Sequence, residues 1–162
     1  MTVNGRLVAA MSTACALTAV SVAAPGVSHA GGPAGGELNG TYRHVSLRSQ
    51  GVESKPDGQR YENPVPGGDR QETWTIVPCG DGCADIVFDY GSARQMYLID
   101  GYWHMTGEID DAIACNGVPT SGVLEYSFDP QTLAGHERRI ADCPGEGQIY
   151  LDYPATLTRI GG

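Results

Sequence analysis

Apolar and polar residues alternate over short stretches along most of the chain. Trp74 and Ile76 lie two residues apart before a cysteine-flanked tripeptide, and Ile86 and Phe88 lie two apart after it. Period-two spacing of this kind is typical of strands with one buried face. The tripeptide Gly80–Gly82 consists of glycine and aspartate, which tight turns favour. This stretch therefore predicts a β-hairpin.

The same alternation recurs and predicts roughly eight strands, joined mostly by short turns. Asp100-Gly101 is the strongest hairpin signal, because both residue types adopt positive φ readily. No stretch shows a helical period over ten residues. Gly107–Thr120 is predicted to be irregular. The predicted strand segments are 38–47, 72–77, 84–90, 94–99, 102–108, 122–128, 132–140, 148–152 and 155–160.

Consecutive hairpins over one core favour an all-β meander. Pairing the first strand with the last would remove exposed sheet edges, so the prediction is a small antiparallel eight-stranded meander barrel, lipocalin-like in outline. A two-sheet sandwich is the alternative. In the barrel, Tyr102, His104 and Thr106 would form a polar and aromatic face that lines the interior.

The first thirty residues indicate a targeting segment and not part of the fold. Arg6 precedes an apolar run, and Ser28-His29-Ala30 fits a signal-peptidase site. Cys15 lacks the upstream leucine of a lipoprotein signal. The protein is expected to be secreted, extracellular or held at the cell envelope. The expected organisation is a signal peptide over 1–30, a flexible lead over 31–37 and a single β domain over 38–162 with a long loop at 48–69.

Four cysteines follow residue 30, and an even number in an exported chain predicts two disulfide bonds. Three pairings are possible. The spacing favours Cys79–Cys83, which share one tight turn, together with Cys115–Cys143 as the longer closure. Thiols paired in this way argue against a zinc site, and the C-x-x-x-C spacing differs from the C-x-x-C of redox motifs.

The net charge of the protein and the spacing of its histidines and carboxylates argue against several classes of partner and ligand. The formal net charge is −9, so nucleic acid and anionic membrane surfaces are poor partners. After signal cleavage no membrane span is expected. His44, His104 and His136 lie on separate predicted strands without metal-ligand spacing, and the acidic stretch Glu108–Asp111 lacks the register of a calcium loop. No metal or cofactor is expected, and the protein is expected to be a monomer.

A succession of short motifs runs through the chain after the predicted signal peptide. In order they are Gly40-Thr41-Tyr42, Trp74, Cys79, Cys83-Ala84, Gly101-Tyr102-Trp103, Cys115, Phe128-Asp129-Pro130, Leu133-Ala134-Gly135, Cys143 and Leu157-Thr158-Arg159-Ile160. In the tryptophan, the paired cysteines and the closing Leu-x-x-Ile, the chain resembles small exported actinobacterial proteins of the mycobacterial type, which are secreted or attached to sensor modules and whose function is unassigned. The resemblance implies an extracellular or cell-envelope domain. It implies no catalytic residues.

The two tryptophans are the strongest candidates for functional residues. Indoles usually anchor the core of small β domains, and this is the structural explanation for Trp74 and Trp103. The functional alternative places Tyr102, Trp103 and His104 at a barrel mouth, in contact with an apolar or sugar-like ligand. Trp74 and Tyr126 would complete this predicted ligand site.

The chain carries no catalytic signature, so a non-enzymatic exported domain is favoured over an enzyme. Such a domain would bind a small ligand or a protein of the cell envelope. One alternative is a secreted hydrolase or isomerase that uses His104 and carboxylates inside the barrel. Another is a protease inhibitor that presents the disulfide-closed loop Gly80–Gly82.

Overall fold

The structure of the protein is a computed structural model that describes residues 37–62 and 68–162. The predicted signal peptide lies outside these residues. None of the described residues belongs to a helix long and apolar enough to cross a membrane. They form a 3-10 turn at Arg48–Gln50 and ten strands. The strands are β1 (Gly40–Ser46), β2 (Val52–Ser54), β3 (Arg60–Glu62), β4 (Arg70–Gly80), β5 (Cys83–Phe88), β6 (Ala93–Ile99), β7 (Tyr102–Cys115), β8 (Val118–Phe128), β9 (Ala134–Cys143) and β10 (Gly147–Gly161).

Eight of these strands close a barrel. Neighbouring strands pair antiparallel in the order β1-β4-β5-β6-β7-β8-β9-β10, and β1 also pairs with β10. The closing ladder runs from Ser46 opposite Ala155 to Thr41 opposite Gly161. The structure therefore confirms the predicted all-β, eight-stranded antiparallel barrel, and the sandwich alternative is excluded.

The irregular segment predicted at Gly107–Thr120 is instead a hairpin. β7 continues to Cys115, and β8 begins at Val118. The register of the two strands shifts between Ile109 and Ile113, where a bulge interrupts the pairing. Three residues of β7, Asp110 to Ala112, lie opposite the single residue Ser121 of β8, and the period-two pattern of the sequence is lost at that point.

The two last predicted strands, 148–152 and 155–160, are one strand. β10 continues through Pro154, which a central strand ordinarily excludes because proline cannot donate to a ladder. Pro154 lies where one neighbour of β10 changes from β2 to β1, and its carbonyl accepts a hydrogen bond from Leu47 N–H at 2.8 Å. Proline has no N–H group. At position 154 such a group would face the gap between β2 and β1, so no hydrogen bond of the ladder is lost.

The predicted long loop at 48–69 contains secondary structure that the sequence did not indicate. β2 pairs with β10 and β3 pairs with β2, so the two short strands extend the sheet beside the barrel. The ends of the segment are joined by Asp69, whose carboxylate accepts hydrogen bonds from the N–H of Ser49 at 3.1 Å and its hydroxyl at 2.7 Å. Residues 63–67 lie outside the described part of the chain.

Large side chains pack against one another inside the barrel. Trp74 is 0% exposed and Trp103 is 1% exposed. A second, smaller cluster lies where β7 and β9 end and β10 begins, and it includes both cysteines of one disulfide bond. The main cluster contains Leu38, Tyr42, Trp74, Ile76, Ala84, Ile86, Phe88, Met96, Trp103, Met105, Tyr126, Phe128, Ala155 and Leu157.

Both predicted disulfide bonds are confirmed. Cys79–Cys83 closes the turn between β4 and β5, and Cys115–Cys143 joins the ends of β7 and β9. The two bonds span sequence separations of 4 and 28 residues. The longer loop restricts the unfolded chain more, because the entropy of loop closure grows with loop length.

Replacing Cys115 and Cys143 together with alanine should lower the free energy of unfolding by about 3.5 kcal/mol. The matched double replacement of Cys79 and Cys83 should lower it by about 2 kcal/mol, because its loop is shorter. Urea unfolding of both double variants under non-reducing conditions measures the two losses. Equal losses would contradict loop entropy as the source of the difference.

Candidate functional site

The ladder between β6 and β7 stops well before the two strands end. It begins at a two-residue turn, Asp100-Gly101, in which both residues have positive φ as a type I′ turn requires. Three residue pairs follow, and the last pair is Tyr97 with His104. β6 nevertheless extends back to Ala93, and β7 continues beyond His104. The barrel wall therefore opens between these two strands.

Strand geometry determines which backbone groups face this opening. Hydrogen-bonded pairs in an antiparallel ladder alternate, so a continued ladder would pair Gln95 with Thr106 next. Their N–H and C=O groups point towards each other's strand, beyond the last ladder pair. Further along, the side chain of Arg94 takes the place of a ladder bond, because its Nη2 donates to the Glu108 carbonyl at 2.9 Å.

A groove of about 470 Å³ starts at this opening and continues over the outer faces of β8 and β9. We call it the β6–β7 cleft. Two of its lining residues, Met105 and Tyr126, have buried side chains that belong to the core beneath the groove. The lining consists of Gln95, Tyr97, Ile99, His104, Met105, Thr106, Glu125, Tyr126, Ser127, His136 and Arg138.

Tyr97 forms a fixed aromatic rim of the cleft. Its hydroxyl donates to Gln95 Oε1 at 2.6 Å, and Gln95 Nε2 donates to Asp85 Oδ1 at 3.0 Å. The ring is 46% exposed and therefore available to a ligand. Ile99, also exposed, continues the apolar rim towards the turn. An aromatic ring that is held by its hydroxyl loses little freedom when a ligand packs on it.

A row of polar side chains crosses the cleft from strand to strand. His104 is paired with Ser127, and Ser127 is paired with His136. Directly paired residues of an antiparallel sheet have neighbouring side chains on the same face. Ser127 is buried between the two imidazoles, while His136 is exposed. The row presents hydroxyl and imidazole groups that can donate and accept hydrogen bonds.

Two carboxylates, those of Asp152 and Glu125, lie beside one guanidinium, that of Arg138, at the edge of the cleft. Arg138 Nε donates to Asp152 Oδ1 at 2.7 Å, and its guanidinium lies 5.8 Å from the centre of the Tyr150 ring. The hydrogen bond to Asp152 and the charges of Asp152 and Glu125 raise the pKa of Arg138. Glu125 faces Arg138 across the ladder, but within the described part of the chain its carboxylate accepts no hydrogen bond. One guanidinium therefore stands between two carboxylates.

The five residues of the predicted ligand site do not share one site. Tyr102 and His104 lie on the outer face of β7, and Trp103 points into the core, so the predicted polar and aromatic interior face is wrong. Trp74 and Tyr126 are also core residues. The reason is the phase of the strand, because its more apolar face takes the interior. Of the five, His104 and Tyr126 line the cleft.

Several cleft residues carried no signal in the sequence. Gln95, Ser127 and Arg138 belong to no motif, and they come together only through the register of four neighbouring strands. The point at which the β6–β7 ladder stops is a property of the folded sheet, which local spacing does not express. The hairpin signal at Asp100-Gly101 located the turn but gave no indication of where the pairing ends.

A second polar cluster lies inside the barrel. The ring of His44 stacks on Trp74 at 4.2 Å between centroids, and its Nδ1 is 3.6 Å from Glu72 Oε2. Trp74 Nε1 donates to the same oxygen at 3.2 Å, and Arg70 forms an ion pair with the other one. Burial alone would raise the pKa of Glu72, but the nearby His44, the hydrogen bond from Trp74 and the charge of Arg70 lower it.

Glu137 is the other buried carboxylate of this cluster. It accepts hydrogen bonds from Arg139 Nε at 2.7 Å, Arg48 Nη2 at 3.3 Å and the Tyr126 hydroxyl at 3.2 Å. Burial would raise the pKa of Glu137, but the two guanidiniums outweigh it and lower the pKa. Burial and the charges of Glu137 and Glu72 raise the pKa of Tyr126 far above its ordinary value, so its hydroxyl remains a donor.

The buried cluster holds the barrel together and is closed to substrate. His44 and Glu137 are 0% exposed. The hydrolase alternative required His104 beside interior carboxylates, and this placement is wrong, because the interior histidine is His44 and His104 lies outside. Residues 37–62 and 68–162 contain no group of three or more histidines, cysteines or carboxylates arranged to bind a metal.

Comparison with solved structures finds the monomer form of the M. tuberculosis PknI sensor domain. The TM-score is 0.58 and the identity 18%, over 76% of this chain and 88% of that chain. The chain shares its fold with that domain. At this identity the likeness extends to the fold alone. The organism of that domain agrees with the resemblance to actinobacterial proteins. The sequence matches no protein-family model and no curated protein.

Proposed function

We propose that the protein is an exported, non-enzymatic binding domain that holds a small ligand in the β6–β7 cleft. The predicted signal peptide supports export to the medium or the cell envelope. Two disulfide bonds suit an oxidising compartment, and the fold is one on which a sensor domain is built.

The cleft carries this proposal because it combines exposed apolar side chains with convergent polar groups. Its volume of about 470 Å³ lies in the range of small-molecule sites. Ile99 and the fixed ring of Tyr97 form an exposed apolar rim, and the core residues Met105 and Tyr126 lie beneath the groove. The backbone groups of Gln95 and Thr106 add hydrogen-bonding capacity at the opening. Such a lining suits a small molecule with an apolar body and a polar group.

Replacing Tyr97 with alanine should weaken ligand binding about tenfold, the effect of losing one aromatic contact. The purified full-length protein is screened against a fragment library by saturation-transfer NMR, and the affinities of the hits are then measured for each variant. Tyr61→Ala is the matched control. Tyr61 is exposed on β3, and its hydroxyl contacts the glutamine two residues earlier, as in Tyr97.

Fragments that bind the Tyr61→Ala variant normally and the Tyr97→Ala variant poorly would support the cleft as the binding site. A screen without hits would overturn the proposal. Equal affinities of both variants for every hit would overturn it as well, because the ligand would then sit elsewhere on the barrel.

A further inference from the structure

We infer that the ligand of the β6–β7 cleft is an organic cation, an ammonium group on a small apolar body. This inference rests on the proposed function and names the ligand class of the same site. Three features support it: the balance of charge at the outer face of β8 and β9, the aromatic wall of the cleft, and the charge of the whole protein.

The first feature is the carboxylate of Glu125. Arg138 is the guanidinium that lines the cleft, and its Nε is engaged by Asp152. Its guanidinium also lies over the ring of Tyr150, 5.8 Å from the ring centre. Glu125 therefore keeps its oxygen acceptors available to a ligand. The positive charge of an ammonium group, whether or not it carries N–H donors, complements such a carboxylate.

The second feature is the exposed ring of Tyr97 on the opposite side of the opening. Aromatic faces attract ammonium groups through the ring quadrupole, most strongly where water is partly excluded. The hydroxyl of Tyr97 is already bonded to Gln95, so the ring cannot turn away without breaking that bond. Ile99, exposed two residues further along the same strand, gives the apolar body of the ligand a contact beside the ring.

The third feature acts at longer range. The formal net charge of −9 gives the surface a negative potential, which raises the local concentration of cations and repels anions. An anionic ligand would be repelled by this potential and by the Glu125 carboxylate. Arg138 is already paired with Asp152. The same field would not distinguish between neutral molecules, so charge is the property to test.

The test compares choline with its neutral isostere, 3,3-dimethylbutan-1-ol, by isothermal calorimetry on the full-length protein. The titrations are made at low salt and pH 8, where imidazole in water is uncharged. We expect choline to bind at least about tenfold more tightly than the alcohol. Equal affinities, or no binding of choline, would overturn the inference.

Glu125→Gln removes the charge and keeps the shape of the side chain. It should reduce choline affinity about tenfold, towards that of the alcohol, without changing the affinity for the alcohol. Asp142→Asn is the control, because it removes one negative charge from an exposed position on β9 outside the cleft. Similar losses in both variants would show that only the overall field attracts choline, and the inference would fail.

The two proposals fail in different ways. If the alcohol binds as tightly as choline and both lose affinity for the Tyr97→Ala variant, the cleft is a binding site and the cation inference is wrong. If neither probe binds, the cation inference is wrong, and the fragment screen decides the proposed function by itself.

Discussion

Replacing Glu137 with glutamine should lower the free energy of unfolding by about 3 kcal/mol, because removal of one partner from a buried ionic group leaves the others uncompensated. The carboxylate is fully buried and accepts hydrogen bonds from Arg48, Arg139 and Tyr126. Glutamine keeps the volume but removes the charge that balances two guanidiniums. The amide NH2 of the glutamine would also face the donor groups of Arg48, Arg139 or Tyr126 and could not accept their hydrogen bonds.

Urea unfolding of the wild type and the Glu137→Gln variant measures this loss. Glu146→Gln is the control, because Glu146 forms its ion pair with Lys55 at the surface, where such pairs contribute little. We expect the control to leave the unfolding midpoint almost unchanged. A Glu137→Gln variant as stable as the control would show that the buried cluster adds nothing to stability.

The same cluster predicts the acid sensitivity of the barrel. The pKa values of Glu72 and Glu137 in the folded protein lie below their ordinary value of 4.5. The unfolded chain therefore binds protons first as the pH falls, so the stabilisation is complete above about pH 4.5 and is lost as the pH falls through the lower, folded values. In Glu137→Gln the decline between neutral and acid pH should be shallower, which urea midpoints at a series of pH values would measure.

The fold could be predicted from the sequence because its signals are local and agree with one another. The alternation around Trp74 and Ile86, the turn at Asp100-Gly101 and the spacing of Cys79 and Cys83 each involve residues close in the chain. Their combination left closure of the sheet as the simplest way to remove its edges. Besides the short strands β2 and β3, the errors in the strands fell at a bulge and at Pro154, where a strand continues although its usual pattern is broken.

The buried cluster was missed because its sequence resembles that of an exposed strand. Glu137, Arg138 and Arg139 form a charged run, which usually lies in solvent. Glu137 and Arg139 nevertheless lie on the inner side of β9, next to the inward-facing Tyr126 of β8. Only the pairing of these strands shows that the charges neutralise one another inside the barrel.

The orientation of β7 could not be derived from alternation because both of its faces carry aromatic residues. Tyr102 and His104 on one face compete with Trp103 and Met105 on the other, and period two fits either choice. The structure resolves the choice in favour of the face with fewer polar atoms. A direct experimental test of this orientation is available in two adjacent residues.

Trp103→Ala should lower the free energy of unfolding by about 3–5 kcal/mol, whereas Tyr102→Ala should change it by no more than about 0.5 kcal/mol. Trp103 is packed in the main core, and its replacement leaves a large cavity; Tyr102 is 49% exposed. Denaturation of the two variants in parallel measures the difference, and a larger loss for Tyr102→Ala would mean that β7 faces the other way.

A third variant separates the volume of Trp103 from its polar atom. Among the described residues no group accepts a hydrogen bond from Trp103 Nε1, although that atom is buried. Trp103→Phe therefore removes an unpaired donor as well as part of the ring, and it should lose much less stability than Trp103→Ala. Trp74→Phe removes the N–H that donates to the buried Glu72 carboxylate. This variant should therefore be less stable than Trp103→Phe. The reverse order would show that ring volume alone decides the stability of the core.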